Sequence, residues 1–234
     1  MNPPSPSSSP PTGGEGRVRG QLDIALYVIL DRTASRGRDL REILDSVIAG
    51  GARLVQFREK EWPVRRCLPL LEDLRRRARQ AGIGFVVNDR LDLALAVEAD
   101  GLHLGQDDLP ASVARRLLPP SMLLGVSTHS LEQARQAEGD RADYIAVGSI
   151  FPSATKPESR LVGLDLLRAV RQAIARPLVA IGGITADNAE EAIRAGADGV
   201  AVVSAVCGAR DPAEATRRLL ERIHPSLTAR DKRL

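Results

Sequence analysis

Short apolar runs alternate with segments of helical periodicity along most of this chain. The apolar runs cover residues 25–31, 54–60, 85–87, 101–104, 123–126, 144–151, 178–181 and 199–206. After the first run, apolar residues recur at the spacing of one helix face, at Leu40, Ile43, Leu44, Val47 and Ile48. Comparable segments follow the later runs, so the pattern predicts about eight strands, each followed by a helix.

Two parallel architectures accommodate such an alternation, a closed (β/α)8 TIM barrel and an open doubly wound sheet. The barrel is favoured because the alternation closes at eight and no glycine-rich dinucleotide fingerprint follows the first strand. We therefore expect a single TIM-barrel catalytic domain over residues 22–224. Residues 1–21, rich in proline and serine, are expected to form a disordered N-terminal tail, and residues 225–234 a polar C-terminal tail.

The composition argues against membrane proteins and nucleic-acid-binding proteins. Hydrophobic residues make up 43% of the chain and charged residues 27%, as in an ordinary globular protein. No apolar run approaches the roughly 18 residues of a membrane span, and no export signal is recognisable, so we expect no membrane partner and a cytoplasmic location. The net charge is +3, but the basic residues are scattered over the predicted helices and only 3% of all residues are aromatic. Both observations argue against nucleic acid as a partner. Cys67 and Cys207 form neither a disulfide framework nor a metal cluster.

The second strand carries an unusual polar face. Gln56, Arg58 and Lys60 alternate with apolar residues and share one side of the strand. Strands inside a parallel sheet are normally covered on both faces, so polar residues there require polar neighbours. Lysine is also rare in this chain, because only Lys60, Lys156 and Lys232 are lysines among 33 basic residues. Lys60 and Lys156 fall at predicted strand ends, where barrel enzymes place their active sites.

Carboxylates end two neighbouring predicted strands. Asp89 follows one strand, and Asp107 and Asp108 follow the next, with a helical crossover between them. A right-handed crossover brings both ends to the same edge of the sheet, where an aspartate from each can hold Mg²⁺ together with a phosphorylated substrate. The alternative is local, with Asp107 and Asp108 favouring a helix start and Asp89 terminating a strand.

The later strand ends suit a second anion. Gly182 and Gly183 follow one strand and Ser204 ends another, in the part of a barrel that binds phosphate through backbone amides, although a glycine pair is also a common tight turn. We therefore expect two anionic substrates, one of which brings Mg²⁺. His103 is expected to be a hydrogen-bonded core histidine. Ser127 and His129 lack a positioned carboxylate, so hydrolase chemistry is unsupported.

Taken together, these motifs resemble the thiamine phosphate synthase family. The resemblance rests on QFREK at 56–60, ND at 88–89, DGLHLGQDD at 100–108, GVSTH at 125–129, GSIFPSATK at 148–156, IGGI at 181–184 and DGVAVVSAV at 198–206. It implies a transferase of thiamine biosynthesis that joins 4-amino-2-methyl-5-hydroxymethylpyrimidine diphosphate to 4-methyl-5-(2-phosphoethyl)thiazole. The products that this resemblance implies are thiamine phosphate and pyrophosphate, and the cofactor that it implies is Mg²⁺.

The same resemblance implies a role for each matching residue. The pyrimidine and its diphosphate would be held by Gln56, Arg58, Lys60, Asn88, Ser127 and Lys156, of which Arg58, Ser127 and Lys156 would be catalytic. The thiazole phosphate would be held by Ser153, Thr155, Gly183, Val203 and Ser204. The Mg²⁺ ligands would be Asp89 and Asp108, although acidic Asp107 leaves the choice between neighbours open. Ser153 departs from the family's usual threonine and keeps the hydroxyl.

Three other functions compete with this one. A related thiazole tautomerase would need no diphosphate site, which the charged residues of the second strand argue against. A sugar-phosphate epimerase or aldolase would require a central base or a Schiff-base lysine. A non-catalytic sensor of thiamine precursors would not need the full set of charged residues. The oligomeric state stays open at this point, and a homo-oligomer is compatible with the sequence.

Overall fold

Eight parallel strands close into a barrel in the order of the chain, which confirms the predicted TIM-barrel fold. The computed structural model describes residues 23–152 and 160–231. The strands are β1 (Leu26–Asp31), β2 (Leu54–Arg58), β3 (Gly84–Asn88), β4 (Gly101–Leu104), β5 (Leu123–Thr128), β6 (Tyr144–Val147), β7 (Leu178–Ile181) and β8 (Gly199–Val202). Pairing of β1 with β8 as well as with β2 closes the barrel.

Helices follow the strands and cover the outside of the barrel. They are α1 (Leu40–Ala49), α2 (Val64–Gln80), α3 (Leu91–Ala96), α4 (Ala111–Leu117), α5 (Leu131–Gly139), α6 (Gly163–Ala173), α7 (Ala189–Arg194), α8 (Ser204–Cys207) and α9 (Pro212–Asp231). The strands expected at 144–151 and 199–206 are shorter than predicted. β8 ends at Val202 because the chain turns into the short helix α8, whereas the apolar residues that follow it had suggested a longer strand.

Two prolines lie within helices. Pro69 is inside α2, which begins five residues earlier at Val64. Pro225 is inside α9, which continues to Asp231 beyond the expected start of the C-terminal tail at residue 225. A proline removes one backbone hydrogen bond, and packing of the apolar face outweighs that local loss. In α9 this packing includes the buried residues Leu219 and Ile223.

Strand alternation divides the buried residues into two cores. The larger lies between the strands and the helices and includes Leu44, Leu71 and Val170. The smaller fills the barrel interior and consists of Tyr27, Ile29, Leu54, Val86, Tyr144, Ala146, Val179 and Ala201. Each strand therefore presents alternate side chains to the interior, and those nearest its carboxyl end face the rim where the site lies. No helix in residues 23–152 or 160–231 is long and apolar enough to cross a membrane.

Candidate active site

A cavity of about 380 Å³ opens at the carboxyl ends of the strands. Its walls include Gln56, Arg58, Asn88, His103 and Ser127, which come from four consecutive strands. All five side chains point into the barrel. Residues two apart on a strand share a face, and the strand register pairs Gln56 with Val86, Asn88 with His103, and His103 with Gly125. The predicted polar face of β2 thus lines the cavity with Gln56 and Arg58.

Arg58 forms an ion pair with Asp31 from the neighbouring strand. The two residues are partners in the β1–β2 register, and Asp31 is only 4% exposed. The carboxylate of Asp31 also accepts a hydrogen bond from the backbone N–H of Ala34 at 2.9 Å, so it anchors both the loop after β1 and the guanidinium. Asp31 was not among the predicted site residues. The available signal was its position at the end of the first apolar run.

Asp89 and Asp108 come together at the ends of β3 and β4, as the crossover argument predicted. Burial raises the pKa of Asp89, the adjacent carboxyl of Asp108 raises it further, and the charge of Lys60 opposes both effects. The ammonium of Lys60 lies 3.3 Å from Oδ2 of Asp89. Two carboxylates in hydrogen-bond contact repel each other when both are ionised, so this arrangement favours a bound cation. It fits Mg²⁺, which takes one or two protein carboxylates and fills its other positions with water and phosphate oxygens.

The two neighbouring aspartates after β4 differ in environment. Asp108 is half-buried, and its Oδ2 accepts a hydrogen bond from the backbone N–H of Gly105 at 2.7 Å. Asp107 is exposed. Asp89 has a positive φ of 61°, a backbone conformation that aspartate and asparagine tolerate better than most residues. The loop geometry therefore selects Asp108 rather than Asp107 as the neighbour of Asp89.

A buried chain of hydrogen bonds crosses the barrel interior beneath the cavity. Ser127 Oγ lies 2.8 Å from His103 Nε2, and His103 Nδ1 lies 3.0 Å from the Tyr144 hydroxyl. The Tyr144 hydroxyl lies 3.0 Å from that of Tyr27, which accepts a hydrogen bond from Gln56 Nε2 at 2.7 Å. His103 is 5% exposed, and burial lowers its pKa to about 4. His103 is thus a satisfied core histidine, as predicted, but one that is connected to the cavity.

The tyrosines of this chain were missed by the sequence reasoning. Tyr27 and Tyr144 are the only two tyrosines of the protein, and both lie inside strands. Burial is the main cause that raises the pKa of each phenol, so both retain their protons. Gly125 leaves room for the ring of Tyr144, since a Cβ there would lie 2.1 Å from Tyr144 Cζ. The scarcity of tyrosine was the one signal that could have drawn attention to the pair.

The other wall of the cavity comes from the last strands. Gly182, Gly183, Val203 and Ser204 all line it. Gly182 and Gly183 have φ angles of 97° and 64°, and a Cβ at Gly183 would meet the carbonyl oxygen of Pro152 at 2.4 Å. The glycine pair therefore allows a close approach of the two loops, and backbone atoms of both glycines line the cavity. Ser153, Thr155 and Lys156 lie outside the described residues. Lys60 pairs with Asp89 at the rim and is 54% exposed.

Comparisons with known proteins identify the family of this chain. Residues 26–206 match the family model described as thiamine monophosphate synthase. The chain is 54% identical over 197 residues to the thiamine-phosphate synthase of Moorella thermoacetica, covering 84% of this chain and 94% of that protein. It is 51% identical over 199 residues to the thiamine-phosphate synthase of Chloroflexus aurantiacus, covering 85% and 92%.

A solved structure extends the agreement to three dimensions. The thiamine phosphate pyrophosphorylase from Pyrococcus furiosus superposes with a TM-score of 0.81 at 40% identity, covering 88% of this chain and 98% of that chain. The two proteins thus share both their fold and much of their sequence over most of their length. The chain belongs to the thiamine monophosphate synthase family.

Proposed function

We propose that this protein condenses 4-amino-2-methyl-5-hydroxymethylpyrimidine diphosphate with 4-methyl-5-(2-phosphoethyl)thiazole, giving thiamine phosphate and pyrophosphate. Family membership supports this reaction, as do the relatives named thiamine-phosphate synthase. The observation that carries the assignment is the pairing of Asp89 and Asp108 beside Lys60, at the rim of a cavity lined by Gln56, Arg58 and Asn88. Such a site suits a metal-bound diphosphate attached to a polar ring.

The chemistry requires little proton transfer. The bond between the pyrimidine methylene and the diphosphate oxygen breaks, and its electron pair leaves with pyrophosphate. The ring amine stabilises the resulting cation, and the thiazole nitrogen donates its lone pair to form the new C–N bond. This step needs charge stabilisation and positioning more than a general base. It is consistent with a cavity in which the histidine of β4 is held neutral by burial.

The charged residues would act on the leaving group. Arg58, Lys60 and, from outside the described residues, Lys156 would meet the growing negative charge of pyrophosphate. Asp89 and Asp108 would hold Mg²⁺, which when bound neutralises phosphate charge. Gln56, Asn88 and Ser127 would hold the pyrimidine and its diphosphate. Gly183, Val203 and Ser204, together with Ser153 and Thr155, would hold the thiazole phosphate. Arg58, Ser127 and Lys156 are the proposed catalytic residues.

The direct test measures pyrophosphate release and thiamine phosphate formation with both precursors and Mg²⁺, and with each precursor alone. We expect release only when both precursors are present. Release from the pyrimidine diphosphate alone would indicate a diphosphatase, and conversion of a thiazole precursor alone would indicate a tautomerase. Either result would contradict the proposal.

A pair of variants connects the reaction to the site. Lys60→Gln removes a cation at the carboxyl end of β2, and Arg53→Gln removes an exposed cation just before the same strand begins. We expect Lys60→Gln to lower turnover by at least about tenfold and Arg53→Gln to leave it within about twofold. Equal effects would show that overall charge matters and that the position of Lys60 does not.

A further inference from the structure

The buried chain from Ser127 to Gln56 has a defined direction of hydrogen bonding. Gln56 donates through Nε2 to the Tyr27 oxygen. The Tyr27 hydroxyl has one proton, and the Tyr144 oxygen is the acceptor within reach, so a fully satisfied chain has Tyr27 donating to Tyr144. The Tyr144 hydroxyl in turn donates to Nδ1 of His103. The histidine therefore carries its proton on Nε2 and donates it to Ser127 Oγ.

This direction determines what the two ends present to the cavity. Ser127 Oγ already accepts from His103, so its own proton is available to a substrate in the cavity that Ser127 lines. The amide of Gln56 uses its nitrogen for Tyr27, which leaves its Oε1 as the atom that can face a ligand. Gln56 also lines the cavity. One end of the chain is thus a donor and the other an acceptor.

The two ends are coupled because each hydroxyl has only one proton. If Gln56 presented its nitrogen to the cavity instead, Tyr27 would have to donate to the amide oxygen, and every later bond would reverse. Ser127 would then donate its proton to His103 and could only accept a hydrogen bond from a substrate. A mixed state leaves one buried hydroxyl or ring nitrogen without a partner, which costs about 1–3 kcal/mol. No buried side-chain nitrogen or oxygen among the described residues lacks a partner in this structure.

We propose that Tyr27, Tyr144 and His103 are positioning residues, which hold Ser127 as a donor and Gln56 as an acceptor for the aminopyrimidine ring. This inference rests on the proposed function, which supplies the ring. The amine of the pyrimidine is a donor and its adjacent ring nitrogen is an acceptor, so the ring offers a donor for Gln56 and an acceptor for Ser127. The amine also becomes a stronger donor as the cation forms, which increases its attraction to the amide oxygen of Gln56.

The inference predicts a substrate specificity that depends on Tyr27 and Tyr144, neither of which lines the cavity. A 4-oxo analogue of the pyrimidine diphosphate has an acceptor in place of the amine and a donor at the ring nitrogen. The wild-type protein should bind the amino compound at least about a hundredfold more tightly than the oxo compound, because the oxo pattern opposes both ends of the chain. Both compounds carry the same diphosphate, so Mg²⁺ and the cations contribute equally to each affinity.

The test measures the ratio of the two dissociation constants by calorimetry in the absence of the thiazole. Tyr144→Phe removes the hydroxyl at the centre of the chain and allows its ends to turn independently. We expect the amino-to-oxo preference to fall by at least about tenfold, which corresponds to about 1.4 kcal/mol. Tyr27→Phe is the second variant, with the same expected result. The control is Thr216→Val, which removes a different buried hydroxyl, bonded to Pro212 O at 2.7 Å in α9, and should leave the preference unchanged.

The outcomes separate the inference from the proposed function. If the wild-type protein forms no thiamine phosphate from both precursors, the proposed function falls. If it does form the product but the two tyrosine variants retain the wild-type preference, the positioning role is wrong. A proportional loss of affinity for both compounds would also overturn it, because that result indicates a purely structural role. Loss of cooperative thermal unfolding in both tyrosine variants would also overturn it, because the buried hydrogen bonds would then serve folding and not substrate selection.

Discussion

At the scale of single residues, Asp89 lies in an environment unlike that of an ordinary surface carboxylate. It is held in a left-handed backbone conformation, next to Asp108 and within 3.3 Å of Lys60. Burial and the second carboxyl both raise its pKa and the charge of Lys60 opposes them, so a bound cation would further stabilise the ionised form. Strained backbone and carboxyl groups with raised pKa values are both common at ligand-binding sites.

The first prediction separates the aspartates. Asp89→Asn and Asp108→Asn should each raise the Mg²⁺ concentration required for pyrophosphate release and lower turnover by at least about tenfold, or roughly 1.4 kcal/mol in the barrier. Asp107→Asn is the matched control and should change little, because Asp107 is exposed. The measurement is a Mg²⁺ titration of all three variants. A larger effect at Asp107 than at Asp108 would reverse the assignment of the ligand.

The second prediction concerns the pH dependence of stability through His103. Burial lowers its pKa to about 4, whereas an unfolded histidine titrates near 6.5. Between these values the unfolded state binds more protons, so the free energy of unfolding should fall as pH falls from about 6.5 towards 4. The full loss is on the order of 3 kcal/mol and should level off below pH 4.

Urea unfolding of the wild type and of His103→Gln at several pH values between 7 and 4.5 tests this dependence. The variant should lack this part of the acid sensitivity, so the difference between the two proteins should shrink as pH falls. His224→Gln is the control, because His224 is exposed in α9 and should leave the wild-type dependence intact. A difference between wild type and His103→Gln that stays constant with pH would show that His103 is not held neutral in the folded state.

At the scale of elements, β5 shows how one strand serves both packing and the site. Its inward residues are Gly125, which leaves space for Tyr144, and Ser127, which lines the cavity. Its outward residue Thr128 is buried and donates a hydrogen bond to the Ala146 carbonyl at 3.1 Å. A small residue at one inward position thus permits a large one on the neighbouring strand, so that the interior stays filled.

The third prediction follows from this packing. Gly125→Ala should lower the free energy of unfolding by about 1–3 kcal/mol, because the added methyl collides with the Tyr144 ring and forces it away from Tyr27 and His103. Turnover should fall as well. Gly139→Ala at the end of α5 is the control, since no atom lies within 4 Å of a Cβ there. A neutral Gly125→Ala variant would mean that the Tyr144 ring has space which the structure does not show.

At the scale of the whole molecule, closure of the barrel depends on the pairing of the first and last strands. Leu26, Tyr27 and Val28 of β1 pair with residues of β8, and the same strand supplies Asp31 at the rim and Tyr27 to the interior. The chain before β1 has the composition of a segment that forms no core, with proline, serine and glycine in abundance. This composition is the basis for the expected domain boundary near residue 22, which stays a prediction.

The fourth prediction tests that boundary. Deletion of residues 1–18 should leave the unfolding temperature and pyrophosphate release unchanged, because this segment carries very few apolar side chains that could dock. Deletion of residues 1–29 is the contrasting variant and should abolish folding, since it removes most of β1. Thermal unfolding and the pyrophosphate assay measure both. Clear loss of stability in the shorter deletion would place the N-terminal segment in the folded domain.

The sequence by itself determined the barrel and the polar residues that end its strands. Local periodicity identifies strands and helices, and right-handed crossovers bring parallel strand ends to one rim, so Gln56, Arg58 and Asn88 were predictable as neighbours. Their arrival in one cavity confirms that part of the expectation. The roles of these residues, and of Ser153, Thr155 and Lys156 outside the described residues, stay predictions.

Only the tertiary structure decided which side chains complete the site. Tyr27 and Tyr144 are 117 positions apart, and their contact depends on the register around the closed barrel rather than on any local pattern. Asp31 meets Arg58 for the same reason. The choice of Asp108 over Asp107 depends on how one loop turns its carboxylates, which adjacent and chemically identical residues do not reveal. Long-range register and loop geometry are set by packing of the whole barrel, and a linear pattern of polar and apolar positions does not contain them.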